Sequence, residues 1–230
     1  MKHMKRLGLF LGAVALVALT AGVVACNGVL GISAAAVEGV EAGDGGAVEA
    51  GLTCDSYCQL ITQNCVSPAD VEYQNDPGLC RSMCNNLALD DGTISSAPQN
   101  TLGCRVYYAQ LAGTSDPATN CRFAGPLGGG HCGTKVEACG NFCSLDVPYC
   151  KSIGAPTYMS QTDCTDRCQG LLGDAGGYEF DTDGGPTGVD LPEGTNTLNC
   201  RFYHLENGYP SPARGMVHCP HTLPVSAVCN

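Results

Sequence analysis

The chain of 230 residues has no tryptophan, only 5 phenylalanines, and 11 basic residues against 22 acidic ones, for a net charge of −11. So few large apolar side chains exclude an extensive hydrophobic core. So few bases exclude nucleic acid as a partner, because a phosphate backbone demands a positive surface. Several catalytic and cofactor signatures are missing too. No Cys-x2-Cys occurs, which removes zinc ribbons and thioredoxin-type redox pairs. No cysteine is followed by histidine, which removes c-type haem attachment. Gly-x-Ser-x-Gly, His-Glu-x-x-His and phosphate-binding loops are also missing.

The chain is rich in cysteine, with 17, and in glycine, with 31. Its start is an export address. Lys2, Lys5 and Arg6 precede an uncharged apolar and small-residue run from Leu7 to Ala25. A membrane-spanning helix has a similar length, so the end of the run carries the distinction. Val23-Val24-Ala25-Cys26 resembles the lipobox of bacterial lipoproteins, with valine where the strongest form of the motif has leucine. The resemblance implies cleavage before Cys26, a thioether from Cys26 to diacylglycerol, and acylation of the new amine. Without it, the same residues give ordinary secretion with cleavage after Ala25, or an uncleaved anchor. Asn27 stands where an aspartate would retain such a protein in the inner membrane of enteric bacteria, so the expected location is the outer membrane.

Residues 1–25 are thus read as signal peptide and 26–51 as a lipid-anchored tether. Loss of the signal leaves eight bases against 22 acids, a charge of −14. An anionic membrane repels such a body. Attachment then rests on the acyl chains, at about 0.8 kcal/mol per buried methylene. Glu38, Glu41, Asp44 and Glu49 keep the tether solvated, and Gly43, Gly45 and Gly46 keep it flexible.

The other 16 cysteines form two runs of eight. The first is Cys54-x3-Cys58-x6-Cys65-x14-Cys80-x3-Cys84-x19-Cys104-x16-Cys121-x10-Cys132. The second is Cys139-x3-Cys143-x6-Cys150-x13-Cys164-x3-Cys168-x31-Cys200-x18-Cys219-x9-Cys229. Asn100-Thr101-Leu102-x-Cys104-Arg105-x-Tyr107 recurs as Asn196-Thr197-Leu198-x-Cys200-Arg201-x-Tyr203, and Tyr73 is echoed by Tyr158. The chain is therefore an internal duplication, with repeats at 52–134 and 135–230. The whole pattern resembles cysteine-rich bacterial lipoproteins with a duplicated eight-cysteine repeat, and no activity comes with the resemblance.

An even cysteine count in an exported chain reads as a disulfide framework. Bridges contribute roughly 2–4 kcal/mol each and so compensate for a small core. Cys54 and Cys58 are one helical turn apart, as are Cys80 and Cys84, Cys139 and Cys143, and Cys164 and Cys168. Paired Cys-x3-Cys helices give nested bridges: Cys54–Cys84 with Cys58–Cys80, and Cys139–Cys168 with Cys143–Cys164. Elimination then suggests Cys65–Cys104, Cys121–Cys132, Cys150–Cys200 and Cys219–Cys229. Further helices are expected from Asn100/Thr101 through Leu111, with Gly113 just past the end, and from Asn196/Thr197 to near Gly208. A short one is expected at Ser115-Asp116-Pro117. Pro148 should end or kink its helix before Cys150. Phe123 to Cys132 and Pro220 to Cys229 read as loop. The expected fold is small, disulfide-rich and mainly α: two tandem helical-hairpin-like repeats with Gly/Pro-rich loops.

Chemistry-bearing residues are sparse. Asp90-Asp91 reads as a solvated turn. The insertion from Glu179 through Asp181 and Asp183 to Asp190 resembles a calcium loop, or is simply an acidic surface loop. Arg105 and Arg201 are structural arginines or anion binders. Repeat two carries His204, His218 and His221 where cysteine alignment gives Tyr108, Asn120 and Phe123 in repeat one. If Cys200 and Cys219 lie close together, three imidazoles converge into a site for zinc or copper; otherwise they are dispersed histidines. Bridged cysteines cannot join them as ligands. The expectation for function is a non-catalytic, membrane-anchored envelope module, structural or binding an envelope protein or extracellular ligand. Its alternative is a metal-binding protein built on those histidines.

Overall fold

Thr53 opens the first helix, α1 (Cys54–Asn64), by accepting a bond from Ser56 N in a capping box. The computed structural model of the protein describes residues 52–66, 72–172, 177–180 and 196–229. The signal, Cys26, the tether and most of the acidic insertion lie outside them. Asp76 and Pro77 start α2 (Pro77–Cys84), Thr101 caps α3 (Leu102–Ala112), and Asp116 with Pro117 starts α4 (Pro117–Ala124). Repeat two follows the same order: α5 (Lys135–Ser152), α6 (Gln161–Gln169), α7 (Leu198–Gly208) and α8 (Pro212–Thr222). The described residues hold no strand, only isolated bridges of Asp90 with Thr101 and Glu179 with Thr197, each tying down the N-cap of α3 or α7. The fold is mainly helical and disulfide-rich.

All 16 of these cysteines are paired, and the pairing order is identical in the two runs. The nested bridges form as expected: Cys54–Cys84, Cys58–Cys80, Cys139–Cys168 and Cys143–Cys164. The bridges assigned by elimination are different. Cys65 pairs with Cys121 and Cys104 with Cys132; Cys150 pairs with Cys219 and Cys200 with Cys229. The reason lies in the helices. Cys65 caps the end of α1, whose neighbour Asn64 donates to Ala109 O of α3 at 2.8 Å, and from there α4 presents Cys121. Cys104 lies in the first turn of α3, and the glycine turn Gly128–Gly130 carries Cys132 back to it.

Three local expectations also change. Pro148 sits inside α5, which runs on to Ser152; the Cys150–Cys219 bridge fastens the turn beyond the proline to α8. Gly113 closes α3 with a right-handed backbone, and its missing side chain makes room for the Asn64 amide, which a Cβ would meet at 2.8 Å. Pro220 does not begin a loop: α8 starts at Pro212 behind a Ser211 cap and ends at Thr222, with Pro220 in its last turn. In repeat one, α4 likewise takes Phe123 and Ala124 out of the expected loop.

The two repeats share one core, which includes Tyr57, Ile61, Tyr73 and Met83 from the first and Phe142, Leu145, Leu198 and Phe202 from the second. Polar contacts cross between them. Asn141 of α5 donates to Asn100 Oδ1 and Pro126 O, both at 3.1 Å, and Tyr73 N donates to Glu206 of α7 at 3.3 Å. The equivalent arginines are structural. Arg105 is fully buried and donates to the carbonyls of Thr101, Gly125 and Pro126 and to Asn100 Oδ1. Arg201 donates to Thr197 O and, at 2.7 Å, to Cys229 O, with its guanidinium 3.7 Å above the Tyr178 ring. Each arginine pins the returning C-terminal loop of its repeat to the start of α3 or α7.

Candidate metal centre

Helices α7 and α8 form an antiparallel pair joined by the three residues Tyr209, Pro210 and Ser211. Gly208, the last residue of α7, lets them meet: a Cβ there would lie 3.1 Å from His218 Cβ and 3.2 Å from Gly215 Cα. His204 is one turn past Cys200 on α7, and His218 and His221 flank Cys219 on α8. Two bridges hold the assembly, Cys200–Cys229 from α7 and Cys150–Cys219 from α8.

The three imidazoles converge. His204 Nδ1 is 3.1 Å from His218 Nδ1 and 3.2 Å from His221 Nδ1. One ligand nitrogen from each ring falls within 4.8 Å of the others. Tetrahedral zinc with Zn–N near 2.0–2.1 Å requires N···N edges of about 3.3 Å, so these spacings suit a metal without large movement. His204 is 7% exposed, and His218 and His221 are half-buried, so one side of the cluster opens to solvent.

Electrostatics favour the ligand form. Burial, then the charges of His221 and His218, push His204 down to about 4. Burial, then His221 and Arg214, push His218 down as well. Both rings are therefore neutral at pH 7, with a lone pair to give. A neutral His204 has one hydrogen or one lone pair at Nδ1, yet two nitrogens face it, so no choice of tautomers gives two full hydrogen bonds. A cation accepting all three lone pairs resolves the conflict.

The group formed by Cys200, His204 and Cys229 is not a second site, because both sulfurs are in one disulfide. The aligned positions of repeat one hold no such cluster. There Tyr108 O–H bonds His131 Nε2 at 2.8 Å, and Phe123 stacks on the His131 ring at 5.0 Å between centroids. Asp90 and Asp91 are exposed, as a solvated turn requires. Of the calcium-like insertion only Glu179 and Phe180 are described. Sequence reasoning missed Arg214, which shares a face of α8 with His218 and His221; the Ser211-Pro212 start of that helix was the available signal. The chain matches no known family model, no curated protein and no solved structure.

Proposed function

We propose that this is an extracytoplasmic, lipid-anchored, non-catalytic module that binds zinc or copper through His204, His218 and His221. The observation that carries the metal reading is the convergence of three imidazole nitrogens at metal-like spacing. Two disulfides fix the helices that bear them, so the ligands are preorganised in the folded chain. Eight disulfides in the described residues indicate an oxidising compartment outside the cytoplasm. No helix among those residues is long and apolar enough to cross a membrane. Membrane attachment and the outer-membrane location are proposed from Val23-Val24-Ala25-Cys26 and Asn27.

The test is calorimetric titration of the oxidised protein with zinc and with copper at pH 7.5, repeated on His204→Ala. Binding at micromolar affinity or tighter, lost in the variant, supports the reading. Weaker binding, or binding unchanged by the substitution, removes it and leaves a structural envelope module.

A further inference from the structure

The open side of the histidine cluster carries a cation. Arg214 precedes His218 by four residues and His221 by seven, so all three project from one face of α8. Six arginines are described, and five have their guanidinium engaged. Arg81 pairs with Asp55, and Arg167 with Asp163. Arg105 and Arg201 are clamped on backbone carbonyls, and Arg122 donates to Ala118 O. Arg214 is exposed, and its guanidinium has no hydrogen-bond or ion-pair partner among the described residues. This is notable in a chain with two acids for every base.

The ligand set adds no negative charge. Three neutral imidazoles around a divalent ion leave its full double charge in place. The ionisable groups that act on His204 and His218 are the other histidines and Arg214, with no carboxylate among them. Three protein ligands also leave a tetrahedral ion one position short. The empty position therefore faces solvent, beside a fork of N–H donors matched to carboxylate or phosphate geometry.

We propose that the metal held by His204, His218 and His221 takes a small oxyanion, a carboxylate or phosphate group, as its fourth ligand, with Arg214 as the second contact. The site is then a receptor for anionic ligands as well as a metal store, and Arg214 sets its preference for oxyanions over water. This inference rests on the metal reading of the cluster.

The experiment separates the two. The oxidised mature chain is loaded with one equivalent of cobalt(II), whose visible absorption reports a four-coordinate site. It is then titrated with acetate, and separately with inorganic phosphate, at constant ionic strength. The expected result is a saturable change of the cobalt bands with at least one of the two anions. Arg214→Gln should weaken that anion about tenfold, the effect of removing a charged hydrogen-bond partner, while cobalt still binds. Whichever anion saturates at lower concentration identifies the oxyanion class. Bands unmoved by both anions, or an Arg214→Gln protein that titrates like wild type, would overturn the proposal while the metal site stands. Failure of cobalt, zinc and copper to bind at all would overturn the metal reading and this inference with it.

Discussion

Gly208 and His218 face each other across the α7–α8 pair so closely that a single methyl group at Gly208 would lie 3.1 Å from His218 Cβ. The glycine sets the helix separation, and the helix separation sets the His204–His218 distance of 3.1 Å. Gly208→Ala should push α8 outward by a few tenths of an ångström. Zinc or copper affinity should fall about tenfold, because ligand positions must hold to within about 0.5 Å. The melting temperature should fall by only a few degrees, as overpacking costs about 1–3 kcal/mol. Gly140→Ala is the control. Nothing lies within 4 Å of a Cβ at Gly140 in α5, so that variant should leave affinity alone and stabilise the helix by up to about 1 kcal/mol. Unchanged metal affinity in Gly208→Ala would show that the contact does not position the site.

Some of this was legible in the sequence. Thr101, Asp116-Pro117 and Thr197 announce their helices because capping is a local effect, written in one or two residues. The nested bridges were legible for the same reason, since i,i+4 cysteines on two helices have few ways to pair. Comparing the repeats picked out His204, His218 and His221. Their convergence depended on how α7 packs on α8, which no spacing in the sequence encodes. What failed was long-range. Cys65 meets Cys121, 56 residues away, only because α1 lies across both α3 and α4, and no spacing rule encodes that crossing. Pro148 does not end α5, because tertiary packing carries the helix past it, with α5 fastened to α8 on the far side of the proline.

The bridge pattern gives the next expectation. Peptide mapping under non-reducing conditions should recover Cys65–Cys121 and Cys104–Cys132 from repeat one, and Cys150–Cys219 and Cys200–Cys229 from repeat two. A peptide joining Cys65 to Cys104, or one joining residues 54–132 to 139–229, contradicts the fold. Substituting both cysteines of Cys150–Cys219 by serine frees the turn that carries His218 and His221. Stability should drop by about 2–5 kcal/mol, and metal affinity should drop with it.

Anchoring is tested at Cys26. Metabolically labelled palmitate should attach to the wild-type chain and not to Cys26→Ala, which should appear in a soluble fraction or remain unprocessed. The motive is the charged start, the apolar run and Val23-Val24-Ala25-Cys26. Wild type without label is incompatible with a lipid anchor and leaves a secreted or uncleaved protein.

Two buried carboxyls set the pH dependence of stability. Burial pushes Glu206 from an ordinary 4.5 up to about 8, only partly opposed by the Tyr73 N–H, and pushes Asp146 from 3.8 up to about 7. Both are fully buried, Glu206 at the junction of the two repeats and Asp146 in α5 beneath the Cys150–Cys219 bridge. Between about pH 4 and pH 8 the folded chain keeps protons that the unfolded chain has released. Their contribution to stability is therefore complete below about pH 4 and is lost as pH rises through 7 and 8. The melting temperature of the oxidised protein should be highest in mild acid and should fall by several degrees between pH 5 and pH 8.5. Glu206→Gln keeps an oxygen to accept from Tyr73 N and removes the ionisation, so its fall over the same range should be about half as large. A melting temperature that rises from pH 5 to pH 8.5, or a Glu206→Gln profile parallel to wild type, would mean that Glu206 ionises freely in the folded state.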